Sequence, residues 1–339
     1  MCGAMSKSKR KKTFIVMGSN SFSGSNFVNF LLNKKHRVIG ISRSREIQKD
    51  FLPYENNENY NLFSFKKVDI NKNIKDLKKI ILKYKPSIVV NYIAQGMVAE
   101  SWKNPEDWYM TNIISQTLVY KELAKFKFIK KFIHVTTPEV YGSTSNKIRE
   151  NYNFNPSTPY AISRATMDMH LYKFFQNYKL PVIFTRTANV YGPGQQLYRI
   201  IPKSFMCSKK GIKLNLHGGG KSLRSFIYID DASRATYLIS KNGKIGETYH
   251  ISTRNFISIK ELVKKIAKIQ NLSFNKLCKI SSDRVGKDHS YKLSSSKLIK
   301  KLKWKPSIGI NKGLLLTKTW IDDNYVRLKK LKLQYQHKK

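Results

Sequence analysis

Two short stretches hold side chains that could move protons. "VTTPEVYG" (135–142) carries Thr137 and Glu139. "NPSTPYAISRATMD" (155–168) carries Tyr160 and Arg164. A positioned carboxylate can take a proton from carbon. Residues four apart on a helix share a face. Arg164 would therefore sit beside Tyr160, and a neighbouring cation favours phenolate. Thr137 could hydrogen-bond an oxygen held between these groups.

A third stretch, "GSNSFSGSNF" (18–27), follows an apolar run and precedes an amphipathic one. Strand, glycine turn and helix in that order form the context of a dinucleotide fingerprint. Backbone N–H groups at the helix start would hold a pyrophosphate. Gly18 allows the tight turn and Gly24 allows close helix–strand packing. Ser21 stands where a third glycine is expected, and its Cβ requires a negative φ or strain. After the second apolar run, "GISRSR" (40–45) has no acid to hold a ribose hydroxyl. Ser42 and Arg43 suit a 2′-phosphate instead. "VDI" (68–70) would bring Asp69 near an adenine amine. The pattern favours NADP(H), with NAD(H) as the other cofactor it allows. A turn that binds nothing and an ordinary basic loop are the bland alternatives.

These residues need strands and helices to bring them together. Apolar runs at 13–18, 36–43, 62–70, 87–94, 130–137 and 181–188 read as strands. Between them, 25–35, 74–85, 110–126 and 158–178 have helical character. Alternation of this kind predicts an α/β fold with a Rossmann-type, doubly wound parallel sheet. Beyond 193 the pattern loosens. The expected division is a disordered basic tail over 1–12, then a dinucleotide-binding domain over 13–192 plus about 226–255. A smaller, mostly helical substrate domain takes about 193–225 plus 256–335. The chain after Leu331 is expected to fray.

The 339 residues suffice for a well-buried core. No apolar run approaches a membrane span. Three widely spaced cysteines give no disulfide framework and no metal-ligand set, which fits a reduced, cytoplasmic setting. The net charge of +43 raises nucleic-acid binding as a reading. Lysine is spread along the whole chain rather than gathered in a patch, which argues against it.

Taken in order, the motifs resemble the extended short-chain dehydrogenase/reductase family. Within it the chain is most similar to the nucleotide-sugar 4,6-dehydratases and their epimerase and decarboxylase relatives. The resemblance covers nearly the whole chain. Gly18, Ser21 and Gly24 match the family's GxxGxxG with the middle glycine replaced. "TTPEVYG" matches S-T-D/S-E-x-Y-G, and Tyr160 with Arg164 matches YxxxK. "NYIAQGMVAESWKNPEDWYMTN" (91–112) resembles the stretch beside the active site. "RTANVYGPG", "RIIPKSF", "RSFIYIDD" and "DRVGKDHSY" match substrate-side elements.

The resemblance implies that Tyr160 takes the proton of a sugar 4-hydroxyl, Thr137 holds that oxygen, Glu139 removes the C5 proton and Arg164 supports the phenolate. It implies a dinucleotide held by Gly18, Ser21, Phe22, Ser23, Gly24, Ser42, Arg43, Asp69, Ile70, Ala94, Asn112, Tyr160 and Arg164. A nucleotide-diphosphate sugar would meet Gln95, Asn189, Arg199, Arg224 and Arg284. It also implies a homodimer through helices 110–126 and 158–178. Three positions depart from the pattern: Ser21, Pro138 in place of an acidic or hydroxyl residue, and Arg164 in place of lysine. An epimerase, a decarboxylase and a catalytically silent dinucleotide-binding regulator are the alternatives on this scaffold.

Overall fold

The computed structural model describes residues 12–283, 286 and 288–338. The expected basic tail therefore lies, apart from Lys12, outside the described residues.

The first half of the chain alternates as the apolar runs require. It runs β1 (Thr13–Met17), α1 (Phe22–Asn33), β2 (Arg37–Ser42), β3 (Phe63–Lys67), α2 (Ile74–Tyr84) and β4 (Ile88–Asn91). Then come α3 (Pro105–Tyr109), a π-helical segment Met110–Ser115, α4 (Gln116–Leu123), β5 (Lys131–Thr136), α5 (Pro159–Tyr178), β6 (Val182–Thr187) and β7 (Asn189–Tyr191). The helix expected at 110–126 is thus a longer, interrupted one that begins at Pro105.

The second half continues with α6 (Ile200–Lys210), β8 (Leu214–His217), β9 (Leu223–Arg224), β10 (Phe226–Tyr228), α7 (Ile229–Asn242) and β11 (Thr248–Ile251). It ends with β12 (Ile257–Ser258), α8 (Ile259–Ile269), α9 (Phe274–Leu277), β13 (Cys278–Ser281), α10 (Ser296–Leu302) and α11 (Ile310–Leu328).

Seven strands form one sheet in the order β11-β6-β5-β4-β1-β2-β3, and every neighbouring pair is parallel. Parallel strands need crossover helices, so both faces are covered and each strand is apolar on both sides. In β1, Phe14 and Val16 pack with Phe27 and Leu31 of α1 and Ala235 and Ile239 of α7. Ile15 and Met17 point the other way, to Leu77 and Ile81, Val119 and Tyr120, and Met167 and Leu171. The strand order reverses between β1 and β4, and a crevice opens there beyond the carboxyl ends.

A second core gathers α6, α8 and α11 around Phe205, Leu262, Ile266, Leu314 and Ile321. Short strand pairs β7–β10, β8–β13 and β9–β12 form three separate two-stranded sheets beside it. Leu298 and Trp304, which the expected division puts in the smaller domain, pack instead in the sheet core.

The chain after Leu331 does not fray. Residues 331, 333, 335 and 337 are half-buried while 332, 334, 336 and 338 are exposed. That alternation follows "LKLQYQHK", an apolar–polar pattern of period two that marks an extended segment lying on a surface.

Candidate functional site

A cleft of about 730 Å³ lies over the carboxyl ends of β1, β4 and β5, between the two cores. Its walls include Ser21, Phe22, Ser23, Arg43, Ala94, Gln95, Thr137, Glu139, Tyr160, Arg164, Asn189, Arg199 and Arg224. Elements far apart in sequence thus bring together most of the expected site residues.

The floor is the glycine turn. Gly18 has φ +80°, and a Cβ there would come within 2.9 Å of the Tyr92 and Ile93 backbone. At Gly24 a Cβ would lie 2.2 Å from the Gly18 carbonyl oxygen. Both positions therefore need glycine. Ser21 does not: its φ is −76° and it is the N-cap of α1, where its Oγ accepts the Gly24 N–H at 3.0 Å. The missing glycine is replaced by a helix cap without strain. The first turn of α1, Phe22 and Ser23, opens on the cleft and offers a helix N-terminus to an anion.

Beside this floor, Arg43 reaches the cleft but Ser42 does not. The Ser42 hydroxyl accepts the Asn20 N–H at 3.0 Å and braces the turn. Asp69 accepts the Asn71 N–H at 3.0 Å, and Ile70 is buried in the core. Neither lines the cleft.

Thr137 follows β5 directly and caps a single turn, Pro138–Tyr141. Its Oγ1 accepts the Glu139 N–H at 3.3 Å. Pro138 takes the first helical position, where its fixed φ fits and its missing N–H costs nothing. The turn aims Glu139 into the cleft. Burial pushes the Glu139 carboxyl up to about 7, with Asp288 adding to the rise and Arg224 and Arg199 opposing it. A base poised near neutrality suits proton abstraction.

Tyr160 lies in the first turn of α5, whose N-cap Thr158 accepts the Ala161 N–H. The Tyr160 phenol bonds the Thr137 hydroxyl and lies near both Glu139 and Arg164. Arg164 acts in the expected direction and favours phenolate. The net result is the reverse of the sequence expectation: burial and the Glu139 charge outweigh Arg164 and raise the phenol. Arg164 itself is buried. Its Nη2 donates to the Val135 carbonyl and lies 3.4 Å from His134 Nε2, a histidine kept neutral by burial. The longer side chain thus reaches strand β5, where its guanidinium is anchored. Its Nε and Nη1 are buried without a partner, and Arg164 lines the cleft. Buried orphan donors are costly. Together with the two obligate glycines and the open helix terminus, they fit a dinucleotide whose ribose would accept from them.

On the opposite wall, Arg224 is held by the carbonyls of Leu223, Asp288 and His289 and stacks on Tyr291, with its guanidinium carbon 4.4 Å from the ring centre. The Tyr291 hydroxyl donates to Asn189 Oδ1 at 3.0 Å. Arg199 stands exposed at the start of α6. Arg284 lies outside the described residues. Gln95 lines the cleft, whereas Asn112 does not. Asn112 is buried in the π-helical segment and clamps the Gln95 backbone. Tyr291 and Asp288 are site residues that the sequence reading passed over. "DRVGKDHSY" contains both, but without the fold nothing separates Asp288 from the neighbouring Asp283 or marks Tyr291 as facing the cleft.

The whole-chain comparisons agree with this geometry. The family model for GDP-mannose 4,6 dehydratase matches residues 15–317. A dTDP-glucose 4,6-dehydratase of Haemophilus influenzae is 30% identical over 331 residues, covering 90% of this chain and 96% of the relative. The structure of dTDP-glucose 4,6-dehydratase from Bacillus anthracis in complex with NAD superposes with a TM-score of 0.85. It is 27% identical, over 95% of this chain and 100% of that one. UDP-glucose 4-epimerase with UDP-glucose from Thermotoga maritima gives a TM-score of 0.83 at 26% identity, over 92% and 99%. The fold, the glycine turn and the proton-transfer cluster have one consistent explanation: the chain belongs to the GDP-mannose 4,6 dehydratase family.

Proposed function

We propose that this chain is an NAD(P)-dependent nucleotide-sugar 4,6-dehydratase, a lyase that forms a 4-keto-6-deoxy sugar nucleotide. The observation that carries this reading is Glu139, held beside Tyr160 in the cleft with its carboxyl pushed up to about 7. A C4 epimerisation needs no base at C5; elimination of water across C5 and C6 does.

A bound dinucleotide would supply a reversible hydride acceptor for C4 and donor for C6. Tyr160 would receive the 4-hydroxyl proton in its phenolate form, which Arg164 favours against the burial and Glu139 charge that oppose it, and the hydroxyl of Thr137 would hold the same oxygen. Once C4 is a ketone, C5–H is acidic and Glu139 takes that proton. The C5–C6 bond becomes double as the C6–O bond breaks. Pro138 has no proton to give, so the departing hydroxyl is protonated by Glu139 or by water, and C5 is reprotonated from solvent, directly or through Glu139, as C6 gains hydride. Arg199, Arg224 and Asn189 line the wall that would face the diphosphate. A decarboxylase on the same scaffold would also use Glu139, and its product differs in mass.

Incubation with a panel of nucleotide sugars in heavy water tests the reading. Loss of water with one deuterium gained at C5 is the expected result. Loss of carbon dioxide, inversion without mass loss, or no change despite bound dinucleotide would each replace it with one of the alternatives.

The Bacillus anthracis relative binds NAD, which supports NAD(H) here. The end of β2 carries no carboxylate and places Arg43 in the cleft, which supports NADP(H) as the preferred form. The two helices expected at a dimer interface bury Met167 and Leu171 in the core. They expose Met110, Ile114, Leu118, Ile162 and Met169 instead. Ile114 and Leu118 leave about half their surface open, 51% and 46%. Apolar rows like these support pairing with a second copy. Among the described residues no helix is long and apolar enough to cross a membrane. Cys207 and Cys278 are buried free thiols, which supports a reducing, cytoplasmic setting.

A further inference from the structure

The segment that leaves α11 crosses the mouth of the cleft. Leu331 and Leu333 pack against the second core. Tyr335 then lines the cleft itself and meets Tyr198 edge-on, with ring centres 5.3 Å apart. Its phenol lies close enough to Arg43 and Arg199 to feel both charges. His337 reaches the far side. Its ring lies flat on Trp108 of α3, centres 5.0 Å apart and planes within 11°. Its Nε2 is 2.7 Å from Asp107 Oδ2. The Lys338 carbonyl accepts from Gln95 Nε2 at 2.7 Å and from Arg43 Nη2 at 3.0 Å. The segment therefore joins the two sides of the cleft directly, from α11 on one to α3 on the other.

Two properties show what such a bridge can do. The cleft keeps about 730 Å³ with the segment in place, and Tyr335 is one of its walls. A space of that size accommodates a large ligand, so the segment covers the cleft rather than filling it. Its far end is also a latch, made by one stacked pair, one carboxylate contact and two hydrogen bonds to the Lys338 carbonyl, none of which involves the packing of either core.

We propose that residues 331–338 form a retention strap that closes over the bound dinucleotide and slows its departure. This rests on the dinucleotide reading above. The overall reaction is redox-neutral: the hydride taken from C4 returns at C6, so the dinucleotide ends each turnover in its starting form and has no need to leave. A strap that opposes its release costs nothing per turnover. Asn189 and Arg224, read above as facing the diphosphate, are not among the contacts of the His337 latch.

The test compares the whole chain with His337→Ala and His337→Phe. Each protein is loaded with NAD(H) and mixed with an excess of a fluorescent etheno analogue to follow dissociation. Thermal midpoints are recorded without dinucleotide. His337→Ala is expected to release the dinucleotide about tenfold faster, since the stacked pair and the carboxylate contact are lost together. His337→Phe keeps a ring on Trp108 and should fall between. The ligand-free midpoints should be alike. Release at the wild-type rate in both variants overturns the strap. Tighter or faster binding by the variants also overturns it, because the segment would then compete with the dinucleotide. Faster release that merely tracks a fallen ligand-free midpoint counts against it as well. A wild-type protein that binds no dinucleotide overturns the cofactor reading itself, and that failure is distinct from the others.

Discussion

Asn112 grips both sides of one peptide residue, Gln95. Its Oδ1 accepts the Gln95 N–H at 2.9 Å, and its Nδ2 donates to the Gln95 carbonyl at 3.1 Å. The same Nδ2 donates to Ser163 Oγ on α5 at 2.9 Å. The loop after β4 is thus tied to the helix that carries Tyr160. Asn112 acts on the site without touching the cleft. Asn112→Ala leaves buried main-chain groups without partners and is expected to cost about 1–3 kcal/mol. Dinucleotide affinity should fall with it, while Asn112→Asp, which keeps the acceptor, loses less. Thermal melts with and without NAD(H) check both.

Activity should depend on the ionisation of Glu139. As a base it must be charged, and its carboxyl is pushed up to about 7 by burial. The log of kcat/KM is therefore expected to rise with pH through about 7 and then level. Glu139→Gln should lower kcat by about 10²–10⁴-fold and still permit partial reduction of the dinucleotide, read as absorbance of the reduced ring.

The same shift has a stability sign. A carboxyl whose folded pKa is raised binds its proton more tightly folded than unfolded, so its contribution is full below the ordinary carboxyl value. It is lost as pH rises through about 7. Glu139→Gln should accordingly raise the melting midpoint more at pH 8 than at pH 5. Equal changes at both pH values would contradict it.

Ser21 and Gly24 should respond in opposite ways. Ser21→Gly removes a cap that glycine itself replaces at a cost of only a few tenths of a kcal/mol, and dinucleotide affinity should hardly move. Gly24→Ala puts a Cβ 2.2 Å from a backbone oxygen that cannot yield. It should abolish binding or folding, as titration and circular dichroism would report.

Arg43→Asp separates the two dinucleotides. If Arg43 meets a 2′-phosphate, its loss should weaken NADP(H) about 10–100-fold and improve NAD(H). Dissociation constants for both forms, measured on wild type and variant, decide it.

Pairing of two copies should fail in Ile114→Glu, which puts a charge in the exposed apolar row of the π-helical segment. Sedimentation velocity is expected to show a dimer for the wild type and a monomer for the variant.

The sequence alone determined much of this protein. Six apolar runs separated by helical stretches require a parallel sheet, because such runs must be buried on both faces. Thr137 and Glu139, adjacent to a strand end, were legible because they lie together in the chain. So were Tyr160 and Arg164, one helical turn apart. The segment after Leu331 reads as frayed in the sequence, because its period-two pattern gains meaning only from the surface it lies on.

Only the tertiary structure decided how those groups behave. That Arg164 spends part of its guanidinium on Val135, and that burial and the Glu139 charge raise the Tyr160 phenol against Arg164, depend on β5 and α5 meeting. That Asn112 serves the site from behind depends on a loop and two helices converging. That residues 331–338 cross a cleft built some 240 residues earlier, with the Lys338 carbonyl on Gln95, depends on where α11 ends in space. The reason is common to all three. Local pattern sets which face of an element is apolar, but burial, charge coupling and long-range contact arise only when distant elements share one volume.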